Sequence, residues 1–199
     1  MARPLAAVVT FALCVAGMWV TGGLITDDFA GSAILTAAFF GAAGIGVLLL
    51  VRRGHALRWW VAAGYALAAG GVGGYVLYTS QHNVTVHERL TAGAALRAGS
   101  FTSGEHVTRG TARIVRRADG RRVLTLSNFS TSPGPDVRVR LVAGRSKDGG
   151  ADGNRDLGGL KGNRGDQQYT LPSGVGDGPV SIVIWCRAFS AEFGTAYLS

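Results

Sequence analysis

Few side chains in this 199-residue chain could carry chemistry, and the sharpest of them is a thiol. There are two cysteines, Cys14 in the middle of an apolar run and Cys186 in the last third of the polar part, so no internal disulfide framework is expected. An unpaired cysteine facing an oxidising compartment is notable. In SIVIWCRAF (181–189), strand periodicity groups Cys186 with Ile182, Ile184 and Ala188, and puts Val183, Trp185, Arg187 and Phe189 on the other face. Ile-Ile-Cys-Ala describes an inward face, where a free cysteine serves as a small hydrophobe and its thiol is inert. A reactive or ligating sulfur needs an opening and a cation or metal to hold the thiolate. Arg187, on the opposite face, is not that cation. Both readings stay open.

Other candidates are weaker. His82 and His87 are five residues apart, a poor metal spacing. Asp152-Gly-Asn154-Arg-Asp156 resembles the first ligand positions of a calcium loop, but Leu157 stands where Gly is required and Asn163 where the bidentate Glu belongs. Gly158-Gly159-Leu160-Lys161-Gly162 lacks the spacing of a phosphate-binding loop. No G-x-S-x-G, paired-carboxylate site or CxxC supports a hydrolase or a thioredoxin-like enzyme.

The elements that must position these residues fall into two halves. Residues 4–26, 29–51 and 59–81 are three uncharged stretches, each near the ~20 residues a helix needs to cross the hydrocarbon core. The first is long, lacks a small-x-small cleavage site and runs at once into the second, so a cleaved signal peptide is not expected. The loop between the second and third stretches carries Arg52, Arg53 and Arg58, while that between the first and second carries Asp27 and Asp28. The positive-inside rule then puts the N-terminus in the cytoplasm and everything after the third span outside, at the plasma membrane. Arg3 agrees, as do Trp59 and Trp60 at the inner end of span three and Tyr75 and Tyr78 near its outer end. No span contains a His, Asp, Glu, Lys or Arg, which argues against proton relays, ion pathways and a bis-histidine membrane haem. The spans read as an anchor in the lipid bilayer, with Gly70-xxx-Gly74 as a helix-packing face.

Residues 82–98 read as a connector, and 99–199 as a domain large enough for its own core. Over 97–199 there are 15 Lys+Arg against 9 Asp+Glu, but the arginines are scattered along alternating strands without aromatic interleaving, so no nucleic-acid partner is expected. A solvated basic surface near an anionic membrane is the simpler reading. Segments 107–117 and 121–129 flank Ala118-Asp119-Gly120, a hairpin signal. Further strands are expected at 136–144, 167–172, 181–189 and 193–198, with a Gly/Asp-rich loop at 145–155. The fold class is therefore three transmembrane α-helices followed by an all-β antiparallel sandwich or barrel.

Four blocks of this half carry a resemblance: HVTRGTARIV (106–115), LTLSNFSTSPGPD (124–136), DLGGLKGNRGDQQYTLP (156–172) and SIVIWCRAFSAEFGTAYL (181–198). In this order they resemble the DM-thirteen domain family, the electron-transfer module found beside DOMON domains. The three spans are not covered. The resemblance implies a β-sandwich-like extracytoplasmic domain whose cysteine, here Cys186, acts as a bare thiol or ligates a prosthetic group such as haem. It also singles out His106, at the position of the family's histidine, as a partner of Cys186 in a thiolate–imidazolium pair or a haem ligand set. Otherwise His106 is a surface or turn-capping residue.

Two functions follow. The first is a membrane-anchored redox or electron-transfer accessory that serves a membrane or envelope redox protein through Cys186 and His106. The second is a non-catalytic cell-envelope binding module with Cys186 as core packing, and Trp185, Phe189 and the basic loops as partner surface. The Ala/Gly/Arg-heavy composition suggests a GC-rich bacterial source, and the sequons at Asn83 and Asn128 matter only in a glycosylating host.

Overall fold

The structure is a computed structural model that describes residues 2–26, 29–151, 153–172, 174 and 178–199. Asp27, Asp28 and Asp152 therefore lie outside the described residues. The chain divides into two compact units, one of helices and one of strands.

Three helices, α1 (Ala2–Gly23), α2 (Phe29–Arg52) and α3 (Arg58–Gln81), are each long and apolar enough to cross a membrane. Their faces are apolar nearly all round, and Leu13, Trp19, Ile34, Ile45 and Leu67 are exposed, as befits helices whose solvent is lipid rather than water. They meet through small residues. A Cβ on Gly17 would strike the Phe39 ring, one on Gly64 would strike the Ala7 carbonyl, and one on Gly44 would lie 2.7 Å from the Tyr65 hydroxyl. Tyr65 in turn donates to the Phe40 carbonyl at 2.9 Å. A Cβ added at Gly70 or Gly74 would meet nothing within 4 Å among the described residues.

Among the described residues nine strands follow: β1 (Thr85–His87), β2 (Ala95–Ser103), β3 (Arg109–Arg116), β4 (Arg122–Ser130), β5 (Val137–Ala143), β6 (Arg155–Gly159), β7 (Arg164–Thr170), β8 (Val180–Cys186) and β9 (Ala191–Leu198). They form one curled sheet in the order β1-β7-β4-β3-β2-β9-β8-β5-β6. Every pairing is antiparallel except β1 with β7, which is parallel. The stretch read as a connector thus holds β1 and the start of β2. The sheet curls at β2, which pairs β3 through Ala95–Ser100 and then β9 through Phe101–Ser103. Gly99 sits at that change of partner, where any Cβ would collide with the Tyr197 carbonyl, so only glycine lets the two strands approach this closely.

Alternation builds the core. Ala112, Ile114, Leu124 and Leu126 on β3 and β4 are completely buried, opposite one another in register. Leu141, Val139 and Val137 on β5 face Ile182, Ile184 and Cys186 on β8 in the same way. Burying each such aliphatic side chain contributes about 1.5–3 kcal/mol, which is what holds the curl closed. β8 is buried on both faces: Val183 and Trp185 cluster with Val142 on its outer side. The loop after β5 covers them, with Gly149 and Gly150 lying flat on the Trp185 indole. Trp185, 7% exposed, is therefore core rather than partner surface.

Candidate functional site

Cys186 is the last residue of β8, opposite Val137 on β5 and Ala191 on β9, and is 1% exposed. Its strand neighbours on the same face, Ile182 and Ile184, are completely buried, as periodicity predicts. Ala188, expected to extend that face, lies beyond the strand end in the turn. Arg187 is committed elsewhere: its Nε donates to Asp136 Oδ2 at 2.7 Å and its backbone N–H to the Asp136 carbonyl at 3.0 Å. The cation next to Cys186 in sequence is thus not its activator.

His106 lies in the loop joining β2 to β3, half-buried, with its ring centroid 4.0 Å from that of Phe193 on β9. The loop is fastened to β9 by backbone bonds from Gly104 to the Phe193 carbonyl (3.1 Å) and from Glu105 to the Glu192 carbonyl (2.8 Å). Buried Thr108 completes the anchor, donating to the Phe193 carbonyl at 2.7 Å and sharing a 2.8 Å hydrogen bond with Thr131. Burial lowers the imidazole pKa below its ordinary value, with the nearby Glu105 charge acting in the opposite sense, so His106 is neutral at pH 7. Cys186 and His106 are 80 residues apart in sequence, yet both abut the first three residues of β9, one opposite Ala191 and the other over Phe193.

A haem on Cys186 was one implication of the resemblance. The packing does not fit one. The sulfur is enclosed by close-packed side chains, and even a single Cβ added at Gly134 would come within 2.9 Å of Val137 and 3.1 Å of Phe193. A macrocycle would need this end of the core to be dismantled.

The remaining sequence candidates have structural roles. Asp156 binds Arg138 Nε at 2.6 Å and lies 3.8 Å from Arg140. Partial burial pushes its carboxyl pKa up, but the hydrogen bonds from Arg138 and the Gly158 N–H and the two guanidinium charges outweigh that and hold it below the usual carboxylate range. Asp148 accepts from the N–H groups of Gly150 and Ala151, and Asn154 donates to the Asp148 carbonyl. These groups brace a loop and are not arranged as an oxygen cage for calcium. Among the described residues no group of three or more His, Cys, Asp or Glu side chains could hold a metal ion, and His82 and His87 belong to none.

The Leu160-Lys161-Gly162 turn proves to be the lid of a buried polar network that motif reading missed. Gln167, completely buried, accepts from the Lys161 N–H (3.1 Å) and the Tyr169 hydroxyl (2.9 Å) and donates to the Gly162 carbonyl (2.8 Å). Burial raises the Tyr169 pKa to about 12, so its hydroxyl stays a donor. Asn163, where the calcium pattern wanted Glu, instead ties Asn83, the Val84 N–H and the Thr131 carbonyl together at 2.8, 2.7 and 3.0 Å. The available signal was a polar QQY inside a strand-like run, which needs buried partners.

No curated protein and no solved structure matches the chain. Residues 100–198 match the family described as Electron transfer DM13, the same stretch that runs from β2 through β9 and contains both His106 and Cys186. The β unit of this chain therefore belongs to the DM13 electron-transfer family.

Proposed function

We propose that this chain is a membrane-anchored redox or electron-transfer accessory whose domain stands on the extracytoplasmic side, with Cys186 as its working thiol and His106 as the base that serves it. Family membership carries the redox class. The residue assignment is supported by the position of Cys186 at the very end of β8, where strands fray first, and by a neutral imidazole over the adjoining end of β9. A lone thiol is suited to exchange with a partner's disulfide. His106 takes the proton, the thiolate attacks one partner sulfur, a mixed disulfide forms as the partner's S–S bond breaks, and the leaving thiolate takes up a proton. The outward orientation rests on Arg52, Arg53 and Arg58 between α2 and α3.

The test is the reaction of the full chain with an aromatic disulfide reagent, in a Cys14→Ala background so that only Cys186 reports. Redox function predicts reaction faster than global unfolding, slowed by His106→Ala, and no thiolate-haem spectrum when haem is added. A second reading, a non-catalytic binding module, is favoured by the 1% exposure of Cys186. That reading predicts labelling only at the unfolding rate and no effect of His106→Ala on it. A phosphatase reporter fused after Ser199 tests the orientation, since it is active only outside the cytoplasm.

A further inference from the structure

Away from Cys186, the β unit has a polar cleft of about 380 Å³. Its floor is Val123 on β4, and its walls include Glu88 and Arg89 after β1, Arg117 at the β3–β4 turn and Lys161 before β7. Three cationic side chains thus face one carboxylate, and that carboxylate is already used. Glu88 accepts from Lys161 Nζ at 2.6 Å through one oxygen and from the Gln168 N–H at 2.8 Å through the other. Partial burial pushes its pKa up, but these hydrogen bonds and the ammonium charge hold it below the usual carboxylate range, so it stays ionised and neutralises Lys161. Nothing comparable answers the arginines. Among the described residues neither Arg89 nor Arg117 has an ion-pair partner.

The surroundings reinforce the positive field. Arg116 and Arg122 are directly opposed across the β3–β4 ladder. Asp119 lies 3.8 Å from Arg121 and is half exposed, a weak counterweight. A cleft of this volume falls within the range of small-ligand sites. Guanidinium groups present paired N–H donors in a fixed fork that matches the oxygens of a phosphoryl group.

We infer that the cleft between Arg89, Arg117 and Lys161 is a binding site for a phosphoryl-bearing anion, either a soluble phosphate compound or a lipid headgroup. The two guanidiniums supply the charge and the fork, and the Glu88–Lys161 pair holds the wall rigid. The site is independent of the thiol chemistry proposed above.

The probe is inorganic pyrophosphate, titrated calorimetrically into the full chain in phosphatidylcholine nanodiscs at low salt. Saturable binding is expected, weakening as salt rises. Each guanidinium lost should weaken it about tenfold, so Arg89→Gln with Arg117→Gln abolishes it in the accessible range. Arg145→Gln, whose cation lies over Tyr197 elsewhere on the sheet, should leave it unchanged. Arg89→Lys with Arg117→Lys keeps the charge but loses the fork, and should bind between the wild type and the Gln variant. Phosphatidylglycerol in the discs identifies the source: competition with pyrophosphate marks a lipid headgroup, and no competition marks a soluble anion. No saturable binding by the wild type, or equal binding by the Gln variant with an unchanged melting curve, overturns the inference.

Discussion

Two parts of the β unit bury groups that are costly to remove from water, and they handle the cost differently. Around Gln167 and Tyr169 the polar atoms are tied by hydrogen bonds to one another and to the Leu160-Lys161-Gly162 turn. Around Cys186 the walls are Val137, Ile184 and Ala191, and the group enclosed is a thiol, which tolerates apolar surroundings because it is only a weak hydrogen-bonding group. The first arrangement is a lock in which each buried side-chain polar atom has a hydrogen-bond partner. The second encloses its sulfur among close-packed side chains. A sequence block that resembles a ligand loop can therefore be scaffold.

The comparison is broken most directly at Gln167. Gln167→Leu keeps the volume but strands the Gly162 carbonyl and leaves the Lys161 N–H and the Tyr169 hydroxyl only their longer bonds, to the Tyr169 oxygen at 3.2 Å and the Gly159 carbonyl at 3.3 Å, and should cost about 4 kcal/mol in chemical denaturation followed by tryptophan emission. A loss below about 1 kcal/mol would mean that the network is not the lock described. At the other site the order of two variants is diagnostic. Cys186→Ala should cost about 1 kcal/mol through lost packing, whereas Cys186→Ser exchanges a weakly polar thiol for a strongly polar hydroxyl in a buried position and should cost about 2–3 kcal/mol. Equal costs would mean that the position accommodates a hydroxyl as readily as a methyl group.

The pH dependence sharpens the contrast further. His106 has a folded pKa below the ordinary 6.5, so the unfolded chain binds its proton first. Stability is fully present above pH 6.5 and falls as the pH drops from there toward the folded value. Glu88 and Asp156, also lowered, add a loss of the same sign in the acidic range below the ordinary carboxylate pKa. His106→Phe should flatten the part of the profile just below pH 6.5 and leave the acid limb in place. Smallest of all is Lys161→Met. Its ion pair with Glu88 is 42% exposed on the lysine side, so loss of the pair should shift stability by about 0.5 kcal/mol, an order of magnitude below the effect at the buried Gln167 beneath it.

Much of the architecture was legible in one dimension. Strands β3, β4, β5, β7, β8 and β9 begin or end within a few residues of the segments that alternation marked, because each puts a row of Val, Ile, Leu, Tyr or Trp against a core. The strands that escaped are those without such a row. β1 has three residues at a sheet edge, β6 ends in Gly-Gly, and β2 is built of Ala, Gly, Ser and Thr with Phe101 as its buried anchor. Their existence is imposed by neighbours: Gly165 admits the Val86 backbone close enough for a parallel pairing, and Gly99 lets β2 change partners.

What the sequence determined by itself was local and periodic: three apolar runs of bilayer length, the inward face shared by Ile182, Ile184 and Cys186, and the turn at Asp119-Gly120. These depend on hydrophobic spacing and backbone preference, which operate within a dozen residues. Tertiary structure alone decided which distant groups became neighbours. It set His106 over Phe193 at the end of β9 that also borders Cys186, matched Gln167 to the Leu160-Lys161-Gly162 turn, and brought Arg89 and Arg117 to line one cleft. Such pairings are fixed by sheet order, and sheet order arises from the mutual burial of whole faces, which no single segment encodes.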